Sequence, residues 1–251
     1  MHDDLIRQFS EFSTIPLAQV RTGVTQHAAF TRLSWADCPE LGWREKLMRY
    51  ERDLCRVFEL LGGDRPPEAL RDRYQREGHW EWLVDHAGDV LVFGAGLGTS
   101  CRVLHGLGHR VTYLDADGAA ASFARWSFEQ NGSSDIEMLL LDKGEIALPA
   151  SRGWDLVLCD SALESRGDPV QTIDCLARAV RPGGLLYLIL EPQTRTDASP
   201  ARRYVTFSEL VSGSPALGAL ELVPLGNPRA AAFRRTQSKE LLIPRPPVPL
   251  T

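Results

Sequence analysis

From residue 89 onward, short apolar runs alternate with segments of helical period. Residues 90–93, 111–114, 136–141, 156–159 and 185–190 are continuous runs of aliphatic and aromatic side chains. Continuous runs, rather than strict apolar–polar alternation, predict strands covered on both faces. Residues 99–107, 118–130 and 170–180 read as helices between them. Strands that alternate with helices in this way predict a mostly parallel sheet with helices on both faces, an α/β fold. Past residue 190 come a polar segment (193–203), a helix near 207–211, and strands at 220–223 and at either 231–235 or 240–243. The proline-rich tail, 244–250, predicts extended chain.

The first 87 residues carry a different pattern. Residues 3–12 predict a short helix, broken by Ser13-Thr14-Ile15-Pro16, and the rest of the first 42 residues shows no readable period. Trp43, Leu47, Tyr50, Leu54, Val57, Phe58 and Leu61 recur at helical spacing, and Gly62-Gly63 supplies a stop. Pro66 and Pro67 start a further helix through about Gln75, ended by Gly78. Residues 79–86 predict one more short helix. The chain thus divides into a helical segment, 1–87, and an α/β domain, 88–251.

Composition narrows the class. The chain has 251 residues, 43% hydrophobic and 24% charged, enough for one sizeable core without covalent staples. It has no apolar run of about 18 residues, so no membrane span is expected. The acidic start Met1-His2-Asp3-Asp4 leads into no apolar stretch, which argues against a secretory signal and for a cytoplasmic protein. The five cysteines are scattered with no C-x-x-C spacing, so neither disulfides nor a metal site is expected. The net charge of −5, mixed along the chain, lacks the basic excess of a nucleic-acid binder.

The informative segment is Asp89-Val-Leu-Val-Phe-Gly94-Ala95-Gly96-Leu-Gly98-Thr-Ser. A strand runs into a glycine-rich turn and then a helix, which lets a ligand approach bare main chain near free N–H groups. The next strand ends in Asp115, followed by Ala116, where a carboxylate can accept hydrogen bonds from both hydroxyls of a ribose. A dinucleotide fingerprint, G-x-G-x-x-G, requires glycine at 99, which is Thr99. The spacing here is G-x-G-x-G. In isolation such a loop also reads as an ordinary turn.

Four further segments follow in register. They are Gly108-His-Arg-Val-Thr-Tyr-Leu-Asp115, Leu139-Leu-Leu-Asp142-Lys143, Trp154-Asp-Leu-Val-Leu-Cys-Asp160, and Ala179-Val-Arg-Pro-Gly-Gly-Leu185. Together with the loop they resemble the class I S-adenosylmethionine (SAM)-dependent methyltransferases over about residues 88–191. The resemblance implies a Rossmann-like, seven-stranded, mostly parallel sheet with a reversed final strand. It also implies SAM lying across the carboxyl ends of the strands. It assigns Gly94, Ala95, Gly96 and Gly98 to the cofactor loop, Asp115 and Ala116 to the ribose, and Asp142 and Lys143 to the adenine. Asp160, Ser161 and Glu164, after the fourth strand, fall at the sulfonium end and are the candidate catalytic residues. Two departures stand out. Val92 occupies the position of the family's usual acid before the loop, and Glu164-Ser165 replaces the frequent Glu-His.

Methyl transfer is an in-line displacement that needs alignment and exclusion of water, and a base only where the nucleophile must lose a proton. Residues 1–87 are expected to form a lid, with Tyr74 and Trp80 as aromatic faces toward a cation and Tyr50 as packing. The histidines are candidates for a base by type alone. Three functions fit. The first is a methyltransferase acting on a small-molecule acceptor in specialised metabolism. The second is a methyltransferase-fold enzyme that cyclises SAM to azetidine-2-carboxylate, releasing methylthioadenosine. The third is a non-catalytic SAM-binding module.

Overall fold

The computed structural model describes residues 3–36, 54–63, 66–85, 88–141, 148, 152–190, 205–223, 225 and 230–236. Among the described residues, the chain opens with helices α1 (Asp3–Ser13), α2 (Leu17–Ala36) and α3 (Leu54–Gly63). Next come α4 (Pro67–Arg76), with proline in its first turn, and α5 (Trp80–Asp85). The α/β part then runs β1 (Asp89–Phe93), α6 (Thr99–His105), β2 (Arg110–Ala116), α7 (Ala119–Gln130), β3 (Glu137–Leu141) and β4 (Trp154–Asp160). It continues through α8 (Pro169–Ala179), β5 (Val180–Ile189), α9 (Phe207–Gly213), α10 (Pro215–Gly218), β6 (Glu221–Val223) and β7 (Ala230–Arg234). No helix among the described residues is long and apolar enough to cross a membrane.

The seven strands form one sheet in the order β3-β2-β1-β4-β5-β7-β6. β1 to β5 are parallel, and β7 runs antiparallel between β5 and β6. This is the Rossmann-like α/β sheet expected, with its reversed last strand. The chain builds outward from β1 to β3 and then returns to β4, so the order switches between β1 and β4. Ligands of open α/β sheets bind beyond the carboxyl ends of the strands at such a switch point.

The continuous apolar runs are explained by burial on both sides. Val90, Val92, Leu156, Leu158, Tyr187 and Ile189 pack with α4, α5, α6 and α7 on one face. Leu91, Phe93, Val157, Cys159, Leu186 and Leu188 pack with α8, α9 and α10 on the other. Burying each large side chain contributes about 1.5–3 kcal/mol. Two glycines are forced where β5 begins. A Cβ on Gly184 would lie 2.9–3.0 Å from the carbonyl oxygens of Asp155, Arg181 and Trp154, and Gly183 sits at φ +84°. The Pro-Gly-Gly turn is therefore a close backbone approach to β4.

A third core joins the N-terminal helices to the rest. Leu5, Ile6 and Phe9 of α1, Val20 of α2, and Val57 and Leu61 of α3 share it with Leu97, Ala120 and Phe123. The Phe9 ring meets Phe123 edge-on at 5.5 Å and Phe58 at 6.1 Å. Helix α2 was not readable from the sequence because its apolar residues are spread around it rather than gathered in a stripe. Its Gly23 has a packing cause: a Cβ there would fall 2.7 Å from the Phe58 ring. Of the helix expected over 43–61, residues from Leu54 on form α3; Trp43 and Tyr50 lie outside the described residues.

Candidate cofactor site at the sheet switch point

The glycine loop leaves β1 at the switch point. Gly94, Gly96 and Gly98 have φ of +65°, +55° and +78°, left-handed values that side chains other than glycine rarely adopt. Neighbouring side chains impose the same demand. A Cβ on Gly94 would lie 2.2 Å from the Cβ of Ala162, and one on Gly98 would lie 2.5 Å from the Phe128 ring. At Gly96 the nearest group is Leu60 of α3, at 3.3 Å. The bare main chain is thus required by the protein's own packing as well as by any ligand. The loop is tied down by Gly94 N–H to the Leu114 carbonyl (2.8 Å) and by the Tyr113 hydroxyl to the Gly96 carbonyl (2.9 Å).

Asp115, at the end of β2, is nearly buried and reaches back to this loop. Its Oδ2 accepts the Gly96 amide proton at 2.6 Å, and its Oδ1 accepts that of Ala116 at 2.7 Å. A carboxylate offers about four acceptor positions. Asp115 spends one on each oxygen and keeps one on each. Ala95 and Ala116 flank this arrangement, both half-buried. Asp142 and Lys143 lie outside the described residues.

Asp160, at the end of β4, is arranged differently. Its neighbour Cys159 pairs with Phe93 of β1, so the Asp160 carboxylate stands level with Gly94. Arg73 of α4 approaches it end-on, with Nη1 3.3 Å from Oδ2 and Nη2 3.3 Å from Oδ1. The Tyr74 hydroxyl donates to Oδ2 at 3.0 Å and the Ser161 hydroxyl to Oδ1 at 3.0 Å. Both oxygens therefore accept two hydrogen bonds, and no acceptor position is left. Ser161 itself sits at φ +54°, a left-handed turn that directs the chain over Gly94.

The remaining expected residues fall around this pair. Tyr74 is fully buried, and its hydroxyl also lies 3.1 Å from that of Ser100. Burial, with Asp160 beside it, pushes the Tyr74 hydroxyl well above the usual tyrosine value. It is a member of the network rather than an open aromatic face. Trp80 is half-buried, and the Arg71 guanidinium already stands 4.8 Å from the centre of its ring. Glu164 is buried on the turn Leu163–Ser165 that follows Ser161. Val92, where the resemblance implied an acid, lies in the apolar face and carries no charge to the loop.

Four further residues take part: Arg73, Glu77 and Tyr187, which the sequence does not single out, and His79, a candidate base by type alone. Arg73 donates through Nε to Glu77 at 3.2 Å. His79, 1% exposed, places Nε2 3.2 Å from the same Glu77 oxygen and Nδ1 2.5 Å from the hydroxyl of Tyr187 on β5. Arg73 and Glu77 are one helical turn apart, and their pairing is the one trace of this network in the sequence. Of the other histidines, His27 bonds its own helix at the Val24 carbonyl and His105 pairs with Asp135. Among the described residues, no cluster of three or more histidine, cysteine or carboxylate groups is placed to hold a metal ion.

Comparison with known proteins agrees with this fold. A family described as a methyltransferase domain matches residues 91–186. The ubiquinone biosynthesis O-methyltransferase of Thiobacillus denitrificans is 31% identical over 99 residues, 39% of this chain and 42% of that protein. The protein of the same name from Saccharophagus degradans is 26% identical over 147 residues, 57% of this chain and 59% of its own length. The chain thus spans about half the length of these curated relatives. Among solved structures, a magnesium protoporphyrin IX methyltransferase from Synechocystis with bound SAM superposes with a TM-score of 0.57 at 14% identity, over 78% of this chain and 98% of that one. An O-methyltransferase family protein from Burkholderia thailandensis gives 0.53 at 13% identity, over 86% and 72%. At such identities the likeness is one of fold.

Proposed function

Because residues 91–186 belong to the class I SAM-dependent methyltransferase superfamily, we propose that this chain transfers the methyl group of SAM to a small-molecule acceptor, in specialised metabolism. The observation that carries the reading is the acceptor count at Asp115. Its two unused positions, one per oxygen, match the two hydroxyls of a ribose, and they sit beside three left-handed glycines at the switch point. These residues fit SAM: Asp115 holds the ribose, and the loop from Gly94 to Gly98 lies against the chain joining ribose to sulfur; Asp142 and Lys143 are assigned to the adenine by the resemblance alone.

Arg73 suits the amino-acid end. Its two terminal nitrogens each spend one N–H on Asp160, which leaves each with another to donate, and the side chain is 26% exposed at the level of Gly94. A guanidinium so held is matched to a carboxylate. Asp160 then serves as the anchor for Arg73. With all four acceptor positions occupied, it takes no proton from the acceptor molecule.

SAM supplies an electrophilic methyl on a cationic sulfur. The nucleophile's lone pair forms the new bond to that carbon as the carbon–sulfur bond breaks, and the electron pair leaves with sulfur in S-adenosylhomocysteine. An acceptor whose lone pair is free at neutral pH, such as an aromatic amine or an ionised thiol or phenol, suits an edge where Asp160 cannot act as base. The helices α1–α3, with α4 against α6, form the lid that excludes water. Product analysis tests this. S-adenosylhomocysteine formed only with an added metabolite is the expected result, and methylthioadenosine released from SAM alone would overturn methyl transfer.

A further inference from the structure

We propose that His79 and Tyr187 are positioning residues for the cofactor's carboxylate, acting on it through Glu77 and Arg73. The inference rests on the cofactor reading above, and it concerns a buried pair that neither touches the sheet edge nor belongs to the glycine motif.

Hydrogen positions in the pair are fixed by chemistry. The Glu77 carboxylate only accepts, so the ring nitrogen facing it, Nε2, carries the hydrogen. A neutral imidazole then has a bare Nδ1, which accepts the Tyr187 hydroxyl proton at 2.5 Å. Burial holds His79 below its ordinary value of 6.5, which keeps the ring neutral near pH 7. The chain of donors therefore runs one way, from Tyr187 to His79 to Glu77. Glu77 Oε2 receives Arg73 Nε as well, at 3.2 Å. Arg73 is thereby gripped at both ends, by Glu77 behind and by Asp160 in front.

The rigidity comes from the sheet. Tyr187 is fully buried on β5, paired with Leu158 of β4, two residues before Asp160. His79 has Tyr74 edge-on at 6.1 Å and Tyr187 at 5.5 Å, so its ring is flanked by two aromatic rings as well as held at both nitrogens. Both carboxylates that orient Arg73 are thus referenced to adjacent central strands: Asp160 directly, and Glu77 through His79 and Tyr187. A long arginine loses much rotamer freedom when it binds. Holding it in advance means that loss is already met before the ligand arrives.

The test compares two ligands that differ at the end in question. S-adenosylhomocysteine carries the amino-acid carboxylate, whereas methylthioadenosine has the same adenine and ribose without it. Calorimetry on His79→Ala should show S-adenosylhomocysteine weakened about tenfold, the worth of one charge-assisted hydrogen bond, with methylthioadenosine within about twofold of wild type. His79→Gln retains an amide donor toward Glu77 and should restore most of the loss. In an Arg73→Met background, His79→Ala should add nothing further for S-adenosylhomocysteine. Equal losses for both ligands, unchanged affinity for S-adenosylhomocysteine, or full additivity with Arg73→Met would each overturn the proposal. Wild-type protein that binds neither ligand would instead overturn the cofactor reading.

Discussion

Asp115 accepts the amide proton of Gly96 at 2.6 Å, so the carboxylate that shapes the glycine loop is also the one proposed to hold the ribose. Asp115→Ala removes both actions. Affinity for SAM should fall by about 1–3 kcal/mol, the range for hydrogen bonds to a charged group. The Gly96 amide also loses its partner, so a lower melting temperature should accompany the loss. Calorimetry checks the first effect and a thermal melt the second. Unchanged affinity in a folded variant would show that the ribose lies elsewhere.

Gly94 and Gly108 both have positive φ, +65° and +89°, but their surroundings differ. A Cβ on Gly94 would meet Ala162 at 2.2 Å, while one on Gly108 would find nothing within 4 Å. Gly108→Ala should therefore cost only the backbone term, about 1–2 kcal/mol. Gly94→Ala adds steric overlap in a packed site, about a further 1–3 kcal/mol. Chemical denaturation of the two variants should rank them in that order. Adding Ala162→Gly to Gly94→Ala should recover part of the difference, and no recovery would place the strain somewhere other than this contact.

The strands and the glycine loop were legible because they rest on local patterns: apolar runs, a turn requiring left-handed backbone, and a terminal acid; the reversed last strand followed only from the resemblance. Helix α2 was not legible, since its packing depends on distant partners, among them a ring from α3 seated on Gly23. The network at Asp160 was also hidden. Arg73 and Asp160 are 87 positions apart, and nothing in either neighbourhood announces the other. Tyr74 shows the difficulty most plainly. Read alone it is an aromatic face, and its place in the site is decided by a hydroxyl bonded to a strand end 86 positions away. Contacts of that range come from topology, which brings the amino-terminal helices onto the carboxyl edge of β4.

Leu97, inside the glycine loop, is buried in the core that holds α1, α2 and α3. Docking of those helices and the shape of the loop are therefore linked, and a ligand that stabilises one stabilises the other. Leu97→Ala should destabilise the protein by about 2–5 kcal/mol as a buried truncation. It should also loosen the helices selectively. In wild type, saturating S-adenosylhomocysteine should slow tryptic cleavage after Arg7 and Arg21, both exposed. In Leu97→Ala that protection should shrink at ligand concentrations that still saturate the site. Equal protection in both proteins would separate the loop from the helices.

The buried histidine sets a pH dependence whose sign follows from its environment. Burial lowers the pKa of His79 from 6.5, against the raising effect of Glu77 and Asp160 and with the lowering effect of Arg73; Tyr187 and Tyr74 complete its surroundings as neutral hydroxyls. Below pH 6.5 the unfolded chain binds a proton at this position that the folded chain does not. Stability contributed by the neutral ring is therefore complete above 6.5 and is lost as pH falls from there toward the lowered folded value. The paired carboxylate Asp89, held below 3.8 chiefly by the Arg110 hydrogen bond and also by Arg181, acts only at lower pH and leaves this window clear. Wild type should melt progressively lower between about pH 6.5 and pH 5, and His79→Gln, which has no titrating ring, should show a shallower slope over the same interval. Parallel slopes for the two proteins would mean that His79 titrates alike folded and unfolded, so that burial does not hold the ring neutral; a shallower slope for wild type than for His79→Gln would mean a raised folded value, with Nδ1 donating to Tyr187.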